Sequence, residues 1–222
     1  MEAYTTQLVQ ETANFVKAEL EGTDASHDWL HIARVYNIAT SLAKEEGIKD
    51  IELVQLGALL HDIGDWKYTG SETAGVEKSS AFLKSKGVDE SRIDLVGKII
   101  DGVSFKNELK RKVELFPELA VVQDADRLDA IGAVGIARTF TFGGAKSRTL
   151  YNPDGFPSEV VSDLSKEQYM SANGDTIQHF YDKLLKLKDM LKTESGRKRA
   201  NRRHDFMVQF LDEFFREVRG EY

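Results

Sequence analysis

The 222-residue chain is 41% hydrophobic and 30% charged, and its 30 basic and 37 acidic side chains give it a formal net charge of −7. This balance argues against a general nucleic-acid or membrane-surface binder, which needs a basic face, and no apolar stretch is long enough to cross a bilayer. Because the chain lacks cysteine and an apolar signal core, disulfides, thiolate metal sites and cysteine nucleophiles are excluded, and we expect a cytoplasmic protein.

Apolar residues recur at helical spacing along most of the chain, and no convincing alternating strand pattern is present. In the first half this periodicity predicts helices over about residues 8–20, 28–46, 51–63, 72–86 and 89–100. The third is apolar on most sides, so we expect it at the centre of the fold. For the second, the predicted inward stripe contains Leu30, Ala33, Asn37, Ile38, Ser41 and Leu42.

In the second half, Pro117 and Glu118 suit the first turn of a helix that runs to about Ile131. The stretch 139–157 is rich in glycine and proline and is predicted to be one long irregular segment. Two helices follow it, at about 176–192 and 195–218. Because nothing marks a linker, we predict a single all-α domain over 1–222, a helical bundle with additional C-terminal helices between 175 and 219.

The pair His61-Asp62 is the first candidate for chemistry. Three of the five histidines are followed by Asp, so the dipeptide alone says little. This pair, however, ends the most apolar predicted helix, where an imidazole and a carboxylate are costly to bury without a partner. A metal cation is one efficient partner, and the negative end of the helix dipole favours it.

Similar polar groups occur in two other apolar helices, at His31 and at Asp126, the latter with Asp124 and Asp129 nearby. Two imidazoles and two carboxylates from separate helices form a mixed nitrogen and oxygen shell that suits one divalent ion. Taken singly, each histidine also fits a hydrogen-bonded core residue, and each aspartate fits a helix cap or a surface charge.

The motifs HxxR at 31–34, LLHDIGD at 59–65 and DADRL at 124–128 occur in an order that resembles the HD superfamily of metal-dependent phosphohydrolases. Within it, the chain looks most like the stand-alone bacterial YedJ-like group, whose core motifs cover about residues 20–140 here. The resemblance implies an all-α HD-type bundle that holds one divalent metal ion, which can be Mn, Co, Ni, Mg, Fe or Zn. The implied ligands are His31, His61, Asp62 and Asp126, the last because it aligns with the final Asp of the family pattern.

Two further residues receive catalytic roles through resemblance. The stretch HDWLH is similar to the HNxxH of cyclic-nucleotide phosphodiesterases, which makes His27 a candidate general acid. Asp65 stands where several HD phosphohydrolases carry an acid/base that orients or deprotonates the water. The alternatives are a supporting or solvent-facing histidine at 27 and a simple turn aspartate at 65.

A substrate phosphate needs cations, and four side chains are candidates: Arg34, Lys67, Lys146 and Arg148. The last two lie in the 139–157 segment, which we predict to cover the substrate. Each cation also fits an ordinary surface charge, and the segment also fits a passive connector. The basic run between Arg197 and Arg203 is interpreted as the water-facing side of the last helix.

Together these features predict a metal-dependent phosphohydrolase that acts on a small phosphorylated substrate, with a nucleotide favoured, through a metal-activated water. The alternative is a catalytically inactive module of the same fold that binds metal and senses a nucleotide. Neither a nucleic acid nor a membrane is expected as a partner, and a monomer and a homodimer are both compatible with the sequence.

Overall fold

The computed structural model of the protein describes residues 4–21, 28–63, 73–104, 113–153 and 175–221. Within these ranges the fold is all-α, as predicted, with α-helices, one 3₁₀ helix and no strand. Three predicted site residues, His27, Asp65 and Lys67, lie outside the described residues, as does the 154–157 end of the predicted irregular segment. No described helix is both long enough and apolar enough to span a bilayer.

The chain divides into two compact units, 1–126 and 127–222. The helices of the first unit are α1 (Gln7–Glu19), α2 (Trp29–Glu45), α3 (Ile51–Leu60), α4 (Ala74–Ser85) and α5 (Glu90–Val103). Those of the second are α7 (Gly132–Ala145), α8 (Gln178–Asp182), a 3₁₀ helix (Leu184–Met190) and α9 (Glu194–Arg219). The helix α6 (Pro117–Asp129) crosses the division, so it belongs to both units.

Aspartate side chains begin three helices of the first unit. Asp28, Asp50 and Asp89 each accept a hydrogen bond from the backbone N–H three residues later, at 2.9–3.0 Å. Such caps satisfy N–H groups that have no partner inside the helix. Because the Asp28 cap receives its bond from the N–H of His31, it also fixes the turn of α2 on which that imidazole lies.

The helix α3 lies in the core of the first unit, as predicted. All residues from Leu53 to Leu60 are buried, and α3 packs against α1, α2 and α5. Gly57 permits the close approach of α5, since a Cβ atom there would lie 2.7 Å from Cγ2 of Ile99. The helix ends at Leu60 rather than near residue 63, so His61 occupies its C-cap and Asp62 lies just beyond.

The predicted inward stripe of α2 was wrong except at Leu42, which is buried. Leu30 is 61% exposed, whereas His31, Ile32, Val35, Tyr36 and Ala39 are buried. The buried set also has helical spacing, because α2 carries apolar residues on two adjoining faces. Periodicity alone therefore did not select the face, and the packing of α3 against α2 did.

The prediction that 139–157 is irregular was wrong for its first part, since α7 continues through Ala145. Of the glycines that suggested a loop, Gly143 serves packing instead, because a Cβ there would collide with the Thr176 hydroxyl. The helix ends where the N–H groups of Ser147 and Arg148 donate to the carbonyls of Gly144 and Gly143, at 3.1 and 2.9 Å. This is a Schellman-type cap, in which Ser147 has a φ of +53°.

The C-terminal helices differ from prediction in one respect. The expected 176–192 helix is interrupted at Lys183, which separates α8 from the 3₁₀ helix. The two residues before α8 are not helical and form hydrogen bonds with an earlier part of the chain. The N–H groups of Thr176 and Ile177 donate to the carbonyls of Thr149 and Leu150, at 2.9 and 3.1 Å. The last predicted helix, 195–218, matches α9 within one residue at each end.

Candidate metal centre

Polar side chains from α2, α6 and the C-terminal end of α3 meet in the first unit. Nε2 of His31 lies 3.6 Å from Oδ1 of Asp126 and 4.0 Å from Oδ2 of Asp62. Nε2 of His61 lies 3.7 Å from the same oxygen of Asp126. The structure thus brings together all four side chains that the sequence predicted as metal ligands.

The four side chains differ in burial. Those of His31 and His61 are 4% and 3% exposed, whereas those of Asp62 and Asp126 are 18% and 32% exposed. The imidazoles therefore form the closed side of the cluster and the carboxylates its open side. Solvent therefore reaches the cluster mainly at its carboxylates.

The backbone fixes the orientation of the His61 ring. Its Nδ1 lies 2.9 Å from the carbonyl oxygen of Ala58, and because a carbonyl only accepts, Nδ1 donates. In the neutral imidazole the lone pair is then on Nε2, a buried atom with no hydrogen-bond partner among the described residues. When Nε2 is deprotonated it presents this lone pair toward carboxylate oxygens, which is the arrangement that metal-binding histidines use.

The cluster attracts positive charge. Burial by itself lowers the pKa of His61, but the carboxylates of Asp126 and Asp62, with a smaller contribution from the Ala58 carbonyl, outweigh burial and raise this pKa to about 9. Two carboxylates thus stabilise a cation next to Nε2. A divalent metal ion satisfies the same electrostatic demand, and it would compete with the proton for this position.

The spacing of the donor atoms fits a single ion. One ligand atom from each of His31, His61 and Asp62 can be chosen so that all lie within 4.8 Å of one another. Ligands at about 2.0–2.2 Å from a metal are separated by at most roughly 4.4 Å, so a small contraction would complete the shell. The residues present therefore fit a divalent cation with mixed nitrogen and oxygen ligands.

The structure also separates Asp126 from the two neighbouring aspartates. Asp124 is fully buried, and Asp129 is 1% exposed and pairs with Arg138 at 2.5 Å. Asp126 Oδ1 lies within 3.7 Å of Nε2 of both imidazoles. This agrees with its alignment to the last aspartate of the HD pattern, while its role as a ligand stays a prediction.

The predicted phosphate-binding residues lie in two places. Arg34 is half-buried on α2, one turn after His31. In the second unit, Lys146 Nζ and Arg148 Cζ lie 5.7 and 5.5 Å from the centre of the Phe142 ring. Ser147, between these two residues, has a left-handed backbone conformation, and both cations lie near the same ring.

Sequence reasoning missed the contribution of Ala58, whose carbonyl orients His61. The signal was available in the position of His61. A side chain at a helix C-cap can reach the carbonyl groups of the preceding turn, which lack partners within the helix. The exact end of α3 decides whether this contact exists, and helix ends are the least predictable part of a sequence pattern.

Comparison with known proteins agrees with this geometry. The HD domain family model matches residues 29–131. YpgQ of Bacillus subtilis is 37% identical over 212 residues, which cover 95% of this chain and 94% of YpgQ. The chain therefore belongs to the HD-domain superfamily, as its motifs implied, while the narrower YedJ-like grouping stays a prediction.

Solved structures support the same assignment. The crystal structure of an HD-superfamily hydrolase from Bacillus thuringiensis is 38% identical, with a TM-score of 0.75 over 96% of this chain and 98% of that chain. The crystal structure of Bacillus subtilis YpgQ in complex with ADP is 34% identical, with a TM-score of 0.72 over 95% and 97%. The protein thus has the fold of HD-superfamily hydrolases.

Proposed function

We propose that the protein is a metal-dependent phosphohydrolase that acts on a small phosphorylated substrate, with a nucleotide favoured. The observation that carries this proposal is the meeting of His31, Asp62 and Asp126 around the buried Nε2 of His61, which has no hydrogen-bond partner among the described residues. One divalent ion held by these residues would polarise a phosphoryl oxygen and lower the pKa of a water molecule.

The protein holds the proposed metal ligands in fixed orientations, as such a reaction requires. The Ala58 carbonyl holds the His61 ring in one orientation, so its Nε2 does not have to be turned before use. The buried imidazoles close one side of the cluster to solvent, and the more exposed carboxylates leave the other side open to a substrate. A pre-oriented ligand set of this kind reduces reorganisation during reaction.

The choice of a nucleotide rests on YpgQ, whose crystal structure contains ADP. Arg34, one turn after His31, is our candidate for holding a phosphate of the substrate, together with Lys67, Lys146 and Arg148. We assign the protonation of the leaving group to His27 and the orientation of the water to Asp65. These assignments complete the proposal for the reacting groups.

The test is a panel of nucleotides and phosphomonoesters, each assayed with Mn²⁺, Co²⁺, Ni²⁺ and Mg²⁺. We expect turnover by the wild-type protein, about one bound ion per chain, and loss of both in the His61→Ala/Asp62→Ala variant. The matched control is His204→Ala/Asp205→Ala, because it removes the same dipeptide from α9. The control is expected to keep its metal and its activity.

Three outcomes would contradict the proposal or a part of it. Full activity in the His61→Ala/Asp62→Ala variant would show that this cluster does not carry the reaction. Binding of nucleotides without turnover of any member of the panel would favour the sensor module instead. Two ions per chain in metal analysis would contradict the single-ion site.

A further inference from the structure

Arg203 differs from the rest of its basic run. The sequence predicted the residues from Arg197 to Arg203 as the water-facing side of the last helix, and Arg202 is indeed exposed. Arg203 points inward instead, and its Nη1 donates a hydrogen bond to the backbone carbonyl of Leu128. The aliphatic part of its side chain lies on Gly132, where a Cβ atom would be 2.9 Å from Arg203 Cγ.

The acceptor of this bond lies at the end of α6. The Leu128 carbonyl belongs to the last turn, where carbonyl groups have no α-helical N–H partner, and it otherwise receives the Ile131 N–H at 3.3 Å. A guanidinium placed there satisfies the carbonyl and adds a positive charge at the negative end of the helix dipole. Arg203 thus stabilises the last turn of α6.

A second arginine acts at the same helix end. Asp129, the last residue of α6, is 1% exposed, and its carboxylate pairs with Arg138 of α7 at 2.5 Å. Burial lowers the pKa of Arg203, and the nearby carboxylate of Asp129 opposes that shift, so Asp129 interacts with both arginines. The side chains that hold the end of α6 therefore come from α7 and α9.

The candidate metal ligand Asp126 lies on this same last turn, two residues before Leu128 and three before Asp129. Its Oδ1 lies 3.6 and 3.7 Å from the two imidazole nitrogens. Helix ends fray because they lack hydrogen bonds, while a functional group must be held within about 0.5 Å of its working position. Because Asp126 lies on the last turn, any movement of that turn would move its carboxylate relative to the two imidazoles.

We infer that Arg203 is a positioning residue for the metal centre, which holds the last turn of α6 so that Asp126 faces His31 and His61. The Asp129–Arg138 pair shares this work. The inference rests on the proposed metal site, but it concerns a residue that neither contacts the metal ligands nor belongs to the HD motifs.

The test compares Arg203→Met with Arg202→Met. Methionine keeps an apolar stem on Gly132 but removes the donor and the charge, while Arg202 is the exposed neighbour on the same helix. We expect the Kd for Mn²⁺, measured by calorimetry, to rise about three- to tenfold in Arg203→Met. This rise is no larger than the one expected when a residue that hydrogen-bonds directly to a metal ligand is removed. The Arg202→Met control should bind as the wild type does, and Arg203→Lys should restore part of the affinity.

Hydrogen exchange supplies a second readout that needs no metal. The N–H groups of Ala130 and Ile131 donate to carbonyls in the last turn of α6, at 3.2 and 3.3 Å. We expect faster exchange at these two amides in Arg203→Met than in the control. If Arg203→Met does not fold, Arg203→Gln, which keeps one donor on a shorter stem, is measured in the same way.

The outcomes separate this inference from the proposed function. A folded Arg203 variant that binds Mn²⁺ within twofold of the wild type would overturn the inference, even if its melting temperature fell, because the residue would then be merely structural. A wild-type protein that binds no divalent metal would overturn the proposed metal centre and this inference together. Weaker binding in Arg203→Met, with an unchanged Arg202→Met, would support both.

Discussion

Single side chains in this protein acquire their properties from one or two neighbours. The Ala58 carbonyl determines which ring nitrogen carries the hydrogen in the neutral form of His61, and two carboxylates raise the pKa of this ring to about 9. His179 shows the opposite case. Burial, followed by the charges of Lys183 and Arg148, lowers its pKa to about 4.

The His179 shift leads to a prediction for pH dependence. A group with a folded pKa near 4 and an ordinary value of 6.5 binds more protons in the unfolded chain between those values, so the protein loses stability as the pH falls through this window. We expect this group to lower the free energy of unfolding by about 2 kcal/mol between pH 7 and pH 4, since water still reaches part of the ring.

The measurement is urea unfolding of the wild type and of His179→Gln at several pH values. The variant lacks the titrating ring. On acidification, the unfolding free energy of the wild type should therefore fall more than that of the variant. The carboxyl groups that also titrate in this range are present in both proteins and cancel in the difference. Parallel pH profiles would show that His179 is not held neutral by the fold.

At the scale of elements, helix ends matter more for the candidate site than helix interiors do. The Asp28 cap places His31, the end of α3 places His61 and Asp62, and the last turn of α6 carries Asp126. The end of α7 is unusual because a serine occupies the left-handed position that glycine normally takes in a Schellman cap. A side chain in that conformation is strained.

This cap leads to a stability prediction. Replacing Ser147 by glycine relieves the strain at φ +53°, and we expect a gain of about 0.5–1 kcal/mol in the free energy of unfolding. Denaturant unfolding measures the change. The matched control is Gly220→Ser, which places serine at the end of α9, where φ is +69°, and should destabilise the protein. A Ser147→Gly variant less stable than the wild type would show that the hydroxyl matters more than the strain.

At the scale of the molecule, α6 joins the two compact units, since its residues up to Asp126 belong to the first and its last residues to the second. The ligand set of the candidate metal centre lies entirely in the first unit. The side chains that hold the end of α6 come from the second unit. The single domain predicted over 1–222 stays a prediction.

Metal binding should therefore be visible in the stability of the whole chain. A ligand that binds only the folded state at about 100 times its Kd stabilises it by about 2.7 kcal/mol, which for a chain of this size corresponds to roughly 5–10 °C in Tm. We expect Mn²⁺ to raise the Tm by this amount in calorimetry and a chelator to reverse the effect. An equal rise in the His61→Ala/Asp62→Ala variant would show that the ion binds elsewhere.

The sequence by itself determined the helical class, the limits of most helices and the four residues that meet at the candidate metal centre. These follow from local causes: apolar spacing, aspartate caps and polar groups at the ends of strongly apolar helices. The order of the HD motifs added the assignment of Asp126 over its neighbours, and the position of its Oδ1 near both imidazole nitrogens supports this assignment.

Only the tertiary structure decided which face of α2 is buried, how far α7 extends, and that Arg203 points inward. Each depends on a partner distant in the chain: α3 for α2, Thr176 for Gly143, and Leu128 for Arg203. A glycine-rich stretch forms a loop or a closely packed helix, and an arginine is solvated or caps a distant helix, according to what lies against it. Local sequence does not contain that information, because packing and long-range hydrogen bonds override local propensity.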